Sequence, residues 1–247
     1  MAGTYQVSRR GDDTFISIIN LVSQTKVIAD GKGSITVPAL TDLAGNPIKW
    51  REIAPYVWQD ANGNDRLAAK VEDGKVLRFS AEPVSPFMLW EPAPWWKSAA
   101  WLMPAALSGL GALLLTVLAW PISALVRRRY KVPYALVGRD AKAHLLIRIT
   151  ALAVLVAVVL YGATVAAFLN NFDLLVARND WMVHTVRLLA TIVIPIGAGV
   201  SLWNAMAVLR SKRIWTAKLW ALVLLLSFVI ILWTAFAFEM MGYSANY

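Results

Sequence analysis

Ser23-Gln24-Thr25-Lys26 sets a hydroxyl and an amine three residues apart. A lysine within hydrogen-bond reach of a serine can take its proton and activate it as the nucleophile of an acyl transfer. Here the motif falls between two runs that read as strands, 15–22 and 26–29, so it is expected to be a turn without a catalytic role. The other reactive side chains are few. Cysteine is absent, and the two histidines, His144 and His184, show neither HExxH nor paired spacing. A thiolate zinc site, a cysteine nucleophile and a disulfide scaffold are excluded, and no metal or cofactor is expected.

The remaining candidates lie in apolar surroundings. Arg187 stands near the end of a long apolar run, where an ionisable residue is a functional candidate by default. Its structural alternative is snorkelling, or pairing with Asp180, Asp173 or Glu239 near the same side, and pairing is expected. His184, one turn earlier, could titrate near neutral pH, but is expected to pack at the interface. Glu239 marks the exit from lipid. Pro195 with Gly197 and Gly199 should kink or loosen its run as a packing adjustment. Gly162 with Ala166, and Gly197 with Ser201, offer small faces for helix contact. Arg127, Arg128, Arg129 and Lys131 could attract anionic lipid headgroups, although setting the topology alone accounts for them. His144, in the same loop, is expected to be solvated.

What must position these residues is set by composition. The 247 residues are 58% hydrophobic and 16% charged, against about 25% charged in ordinary soluble domains. Formal net charge is +9, yet residues 1–97 hold eleven basic and eleven acidic side chains, and residues 98–247 hold thirteen and four. The excess therefore sits in the hydrophobic half, which excludes a nucleic-acid surface on the polar half and points to membrane topology.

Residues 1–90 read as a β domain, a small antiparallel sheet or partly open barrel. Its runs are 4–8, 15–22, 26–29, 34–37, 56–59, 66–71 and 75–79, with turns such as Asp60-Ala61-Asn62-Gly63-Asn64-Asp65 and Glu72-Asp73-Gly74. Pro83, Pro86, Pro92 and Pro94, with Trp90, Trp95 and Trp96, predict a linker, placed at 91–98, that arrives at a membrane interface. A four-helix membrane domain, 99–247, follows, with spans at 99–126, 145–169, 186–209 and 219–238, each near or above the roughly 20 residues that cross a bilayer. The overall class is α+β.

Eleven of the thirteen basic residues of this half lie between spans one and two, counting Arg148 at the start of the second, or between spans three and four. The positive-inside rule puts those loops in the cytoplasm, with the β domain and C-terminus on the outer side. An outside β domain must be translocated, and the chain opens almost inside a strand. The expectation is that it is the C-terminal part of something longer, with a reverse-anchor first span as the alternative.

Gly3-Thr4-Tyr5 followed by Ser8-Arg9-Arg10 resembles the domain that follows the catalytic domain in bacterial serine hydrolases related to class C β-lactamases and penicillin-binding proteins. The likeness continues through Trp50-Arg51-Glu52-Ile53, Val57-Trp58-Gln59-Asp60, Pro94-Trp95-Trp96, Ala119-Trp120-Pro121, Arg127-Arg128-Arg129-Tyr130, Val132-Pro133-Tyr134 and Gly138-Arg139-Asp140-Ala141, then fades after about residue 145. In that family an exported domain carries Ser-x-x-Lys at a helix start, Tyr-x-Asn, and a Lys/His-x-Gly strand. The last two motifs are not met here, so the resemblance implies a non-catalytic anchoring and accessory portion, with a serine hydrolase catalytic domain as partner in cis or in trans. A free-standing membrane sensor or transporter is the alternative. It would need paired intramembrane polar residues or a repeat of broken helices.

Overall fold

A computed structural model describes every residue except Pro86, Ala135, Ala245 and Tyr247, and divides the chain into two compact units. The first comprises Met1–Asp12 and Ser17–Trp101, the second Asp13–Ile16 and Leu102–Tyr247. The chain is a mixed α+β protein.

The first unit is a closed antiparallel barrel with strands in sequence order. They are β1 (Gly3–Val7), β2 (Thr25–Ala29), β3 (Ser34–Thr41), β4 (Pro47–Ala54), β5 (Val57–Asp60), β6 (Arg66–Glu72), β7 (Lys75–Ala81) and β8 (Trp90–Pro92). Closure comes from β1 pairing with β8, with Val7 opposite Trp90 and Tyr5 opposite Pro92. A closed barrel leaves no edge open to a foreign strand. Alternation sends Val27, Ile35, Val37, Ile48, Trp50, Trp58, Leu67 and Phe79 inward to a single core, while neighbours such as Lys26, Lys49 and Arg51 face out. Phe79 stacks on Trp90 at 5.1 Å and meets Tyr5 edge-on at 5.0 Å.

The turns are closed by aspartates. Asp30 accepts from the N–H groups of Lys32 and Ser34 at 2.8 and 2.9 Å, and Asp42 does the same with Ala44 and Asn46. The two backbone donors favour the ionised form and hold the Asp30 carboxyl below its usual value. Gly45 completes the Asp42 turn at φ +83°, a conformation that opposes a Cβ.

Two strands escape the sequence reading, and one expected strand does not form. β4 alternates only over Ile48 and Trp50 before four exposed residues, so its period-2 signal is short. β8 lies inside the expected linker. Its Pro92 ends the strand, where a missing N–H is tolerated. Strand pairing thus runs to Pro92, past the linker start expected at 91, and Pro86, one of the prolines read as leading into that linker, lies outside the described residues. The expected strand at 15–22 gives a turn and a one-turn helix, α1 (Ile19–Val22). Its apolar residues do not alternate, and Asp13–Ile16 leaves the barrel to join the second unit.

That unit holds four long helices: α2 (Ala99–Tyr130), α3 (Gly138–Asn170), α4 (Asp180–Arg210) and α5 (Trp215–Ala237). All are long and apolar enough to cross a membrane, and the chain is a multi-pass membrane protein. Helices of 31 to 33 residues are about 47–50 Å long at roughly 1.5 Å per residue, so α2, α3 and α4 overreach a hydrocarbon core of about 30 Å. α3 packs on α4, and α4 on α5. Leu107, Ile122, Val159, Ile196 and Leu226 point outward, as a lipid environment permits.

Small residues bring the helices together. A Cβ on Gly197 would lie 2.5 Å from Cε1 of the fully buried Phe228 and 3.2 Å from Val154. Gly162 and Ala166 are exposed instead and form no contact face. α4 runs on through Pro195, and α2 through Pro104 and Pro121. Gly197→Ala is expected to cost about 1–3 kcal/mol by overpacking. Gly199→Ala, with open space around it, should be neutral or stabilising by up to about 1 kcal/mol. Thermal unfolding of both variants in one detergent checks the contrast, and equal melting would refute it.

Candidate functional site

Ser23 and Lys26 do not form a catalytic pair. Ser23 closes α1, its N–H donating to the Ile19 carbonyl at 2.8 Å, and Lys26 lies opposite Thr4 on β2. Both are exposed, and neither side chain hydrogen-bonds the other among the described residues. The residue with a role here is Gln24, which sequence reasoning passed over. Its carboxamide oxygen accepts from the Ala99 N–H at 2.7 Å and its nitrogen donates to the Lys97 carbonyl at 2.8 Å. Within the first unit it holds residues 97–99 against the start of β2.

Arg187 is the best-buried charge of the bundle, 3% exposed. The expected pairing with a carboxylate is corrected: its partners are main-chain carbonyls of the C-terminal segment. Nη1 donates to Ser244 at 2.7 Å, and Nη2 to Glu239 and Met241 at 3.0 and 2.9 Å. Glu239 thus contributes its carbonyl, while its side chain is exposed. A carbonyl nest suits a cation because it spreads partial negative charge over fixed dipoles without adding a second buried ion. Gly242 passes close by at φ +116°, where a Cβ would sit 3.2 Å from Nη2, and its N–H donates to Thr191 Oγ1 at 2.8 Å. His184 stacks on Tyr243 at 4.6 Å, the packing role expected of it. Asp180 opens α4, where a carboxylate complements the helix dipole.

The same segment gathers Phe15. Its N–H donates to the Asn246 carbonyl at 3.1 Å, its carbonyl accepts the Tyr161 hydroxyl at 2.7 Å, and its ring meets Phe168 edge-on at 5.2 Å. Arg187, Tyr161 and Phe15 therefore form a structural clamp; among the described residues of this region the buried Arg187 Nε and His184 Nδ1 have no hydrogen-bond partner.

At the opposite end the expected headgroup residues split. Arg128, Arg129 and Lys131 are exposed, while Arg127 turns in and lies over the Tyr134 ring at 5.1 Å. His144 is not solvated. It is half-buried, and its Nδ1 hydrogen-bonds the Tyr134 hydroxyl at 2.6 Å. His144 and Arg148 share a face of α3 by their i, i+4 spacing, and Arg148 lies over Trp120 at 5.9 Å. That spacing was visible in the sequence, although the loop reading hid it.

Polar groups deeper in the bundle turn back on their own helices. Thr116, Thr150, Thr164, Ser227 and Thr234 each donate to the carbonyl four residues earlier. Among the described residues no cluster of three His, Cys, Asp or Glu side chains could hold a metal ion. No family model matches the chain, and neither does any curated protein or solved structure.

Proposed function

We propose that the chain is the non-catalytic, membrane-anchoring and accessory portion of a serine hydrolase related to class C β-lactamases, its barrel supporting or capping an exported catalytic domain. The observation that supports this best is the bundle itself: four long apolar helices whose central hydroxyls bond their own backbone and whose buried arginine is engaged by carbonyls. Such a unit inserts stably, as one lipid chain would not. A transporter needs partly satisfied polar groups along a path, and hydroxyls that donate to their own helices are poor material for one. The basic loops would face the cytoplasm of a bacterial inner membrane, with the barrel and C-terminus in the periplasm.

Absence of cysteine makes the test direct. A single cysteine at Leu43, on the exposed barrel surface, should react with a membrane-impermeant maleimide in intact cells. One at Lys131 should react only after permeabilisation. The reverse pattern overturns the orientation. A fluorophosphonate probe should leave the chain unlabelled, and Ser23-dependent labelling would overturn the non-catalytic reading. Upstream of Met1, the transcript should carry an in-frame domain with Ser-x-x-Lys and Tyr-x-Asn. A stop codon and ribosome-binding site there would exclude the arrangement in cis.

A further inference from the structure

On the basic-loop side of the bundle a cavity of about 220 Å³ opens among all four long helices. Its polar lining is Thr116 from α2, His144 and Arg148 from α3, Asn204 from α4, and Arg213 from the α4–α5 connection. A second cavity of about 350 Å³ shares Arg148 and is bounded by Arg127, Tyr134 and Trp120. Arg148 lines both spaces, Arg213 lines the first and Arg127 the second, so guanidinium groups bound the two together. Among the described residues no carboxylate pairs with any of these three arginines. Asp140, the acidic residue of the first basic loop, lines a different cavity with Arg139 and Arg210.

Partly desolvated guanidinium groups without counter-charge are costly and create a demand for an anion. Asn204 points the same way independently. It is 4% exposed, lines the cavity, and its carboxamide has no hydrogen-bond partner among the described residues. Buried amides are ordinarily satisfied, and an orphan calls for a ligand or a water. Tyr134 engages Nδ1 of His144, which leaves Nε2 for the cavity, whereas Trp220 spends its N–H on Thr116 Oγ1 at 3.2 Å. The unspent groups are thus two guanidinium forks, one amide and one imidazole nitrogen, a donor set suited to the oxygens of a phosphate group.

Depth selects the source. Asn204 lies six residues before the end of α4 at Arg210 and Arg148 ten residues after the start of α3, or about 9 and 15 Å along axes that overreach the hydrocarbon core. That is the level of the headgroup–acyl boundary, marked here by Trp120 and Trp220. We propose that this inter-helix pocket binds the phosphate of an anionic phospholipid headgroup from the leaflet on the basic-loop side. Choline headgroups are disfavoured, because three uncompensated arginines repel their cation.

Native mass spectrometry of the full chain in micelles doped with phosphatidylglycerol or phosphatidylcholine tests this. The chain should retain phosphatidylglycerol roughly tenfold more tightly than phosphatidylcholine, and Arg148→Gln with Arg213→Gln should abolish the preference. Arg213→Gln alone, in a connecting loop where folding is not at stake, should weaken retention by itself, and Asn204→Leu should do so more modestly. Arg128→Gln with Lys131→Gln, both exposed, should leave it unchanged. Retention unaltered in Arg213→Gln and in the double variant overturns the proposal, as does a preference carried by the exposed pair. Inorganic phosphate supplies the other arm. Displacement of the retained lipid by phosphate supports a phosphate-reading site, whereas phosphate binding without phosphatidylglycerol retention overturns the lipid source.

Discussion

Trp50→Ala is expected to remove about 3–5 kcal/mol from the barrel, the cost of deleting a large buried aromatic that the surroundings cannot refill. Trp50 is fully buried on β4, opposite Ile35 of β3 and Asp60 of β5, so its loss opens the core where three strands meet. A unit of about 90 residues has little stability in reserve, at roughly 0.05–0.15 kcal/mol per residue. Hydrogen exchange of the β3–β5 amides, read in the full chain, should accelerate accordingly. Trp50→Phe is the informative companion. The indole N–H is buried without a partner, so this variant loses ring volume but also removes an unsatisfied donor, and about 1–2 kcal/mol is expected. Exchange in β3–β5 unchanged by Trp50→Ala would refute a core role for this residue.

The second large effect is at Arg187. Arg187→Met should cost about 3 kcal/mol, since charge-assisted hydrogen bonds are worth about 1.5–3 kcal/mol each and do not add fully. The carbonyls of Glu239, Met241 and Ser244 lose their common donor, and the C-terminal segment should become accessible to carboxypeptidase at temperatures where the wild type resists. Arg187→Lys should recover only part, because one ammonium on a shorter stem cannot reproduce a fork that reaches three carbonyls. Gly242→Ala should loosen the same segment by about 1–2 kcal/mol, through positive φ and the close approach to Nη2. Protease resistance equal to wild type in Arg187→Met would show that the segment is held by other contacts.

These residues also separate what was legible in the chain from what was not. The four membrane helices were legible, because crossing about 30 Å of hydrocarbon demands an apolar run of fixed minimum length. Even so, their true ends reach further, to Tyr130, Gly138, Asp180 and Trp215. Amide hydrogen bonding carries a helix on past the point where hydrophobicity stops, as at Arg127-Arg128-Arg129. The hairpin turns were legible for a comparable reason. Asp and Gly at fixed offsets do local work that needs no distant partner, as Asp60 does in accepting from the Asn62 N–H.

What tertiary structure alone decided is which partner each apolar or charged group meets. Phe15 carries the signature of a strand residue yet is buried with Phe168 and Tyr161, because β propensity records a preference for half-buried surface and not whose surface it is. Gly162 and Gly197 are alike in sequence, and only Gly197 faces a neighbouring helix. Arg187 was readable as a buried charge in need of compensation, but carbonyls fifty residues away carry no mark in their side chains. Arg148, Asn204 and Arg213 sit on separate elements, and their common cavity exists only once four helices close around it. Composition and local periodicity are properties of neighbours along the chain, whereas pairing, cavities and charge balance are properties of neighbours in space.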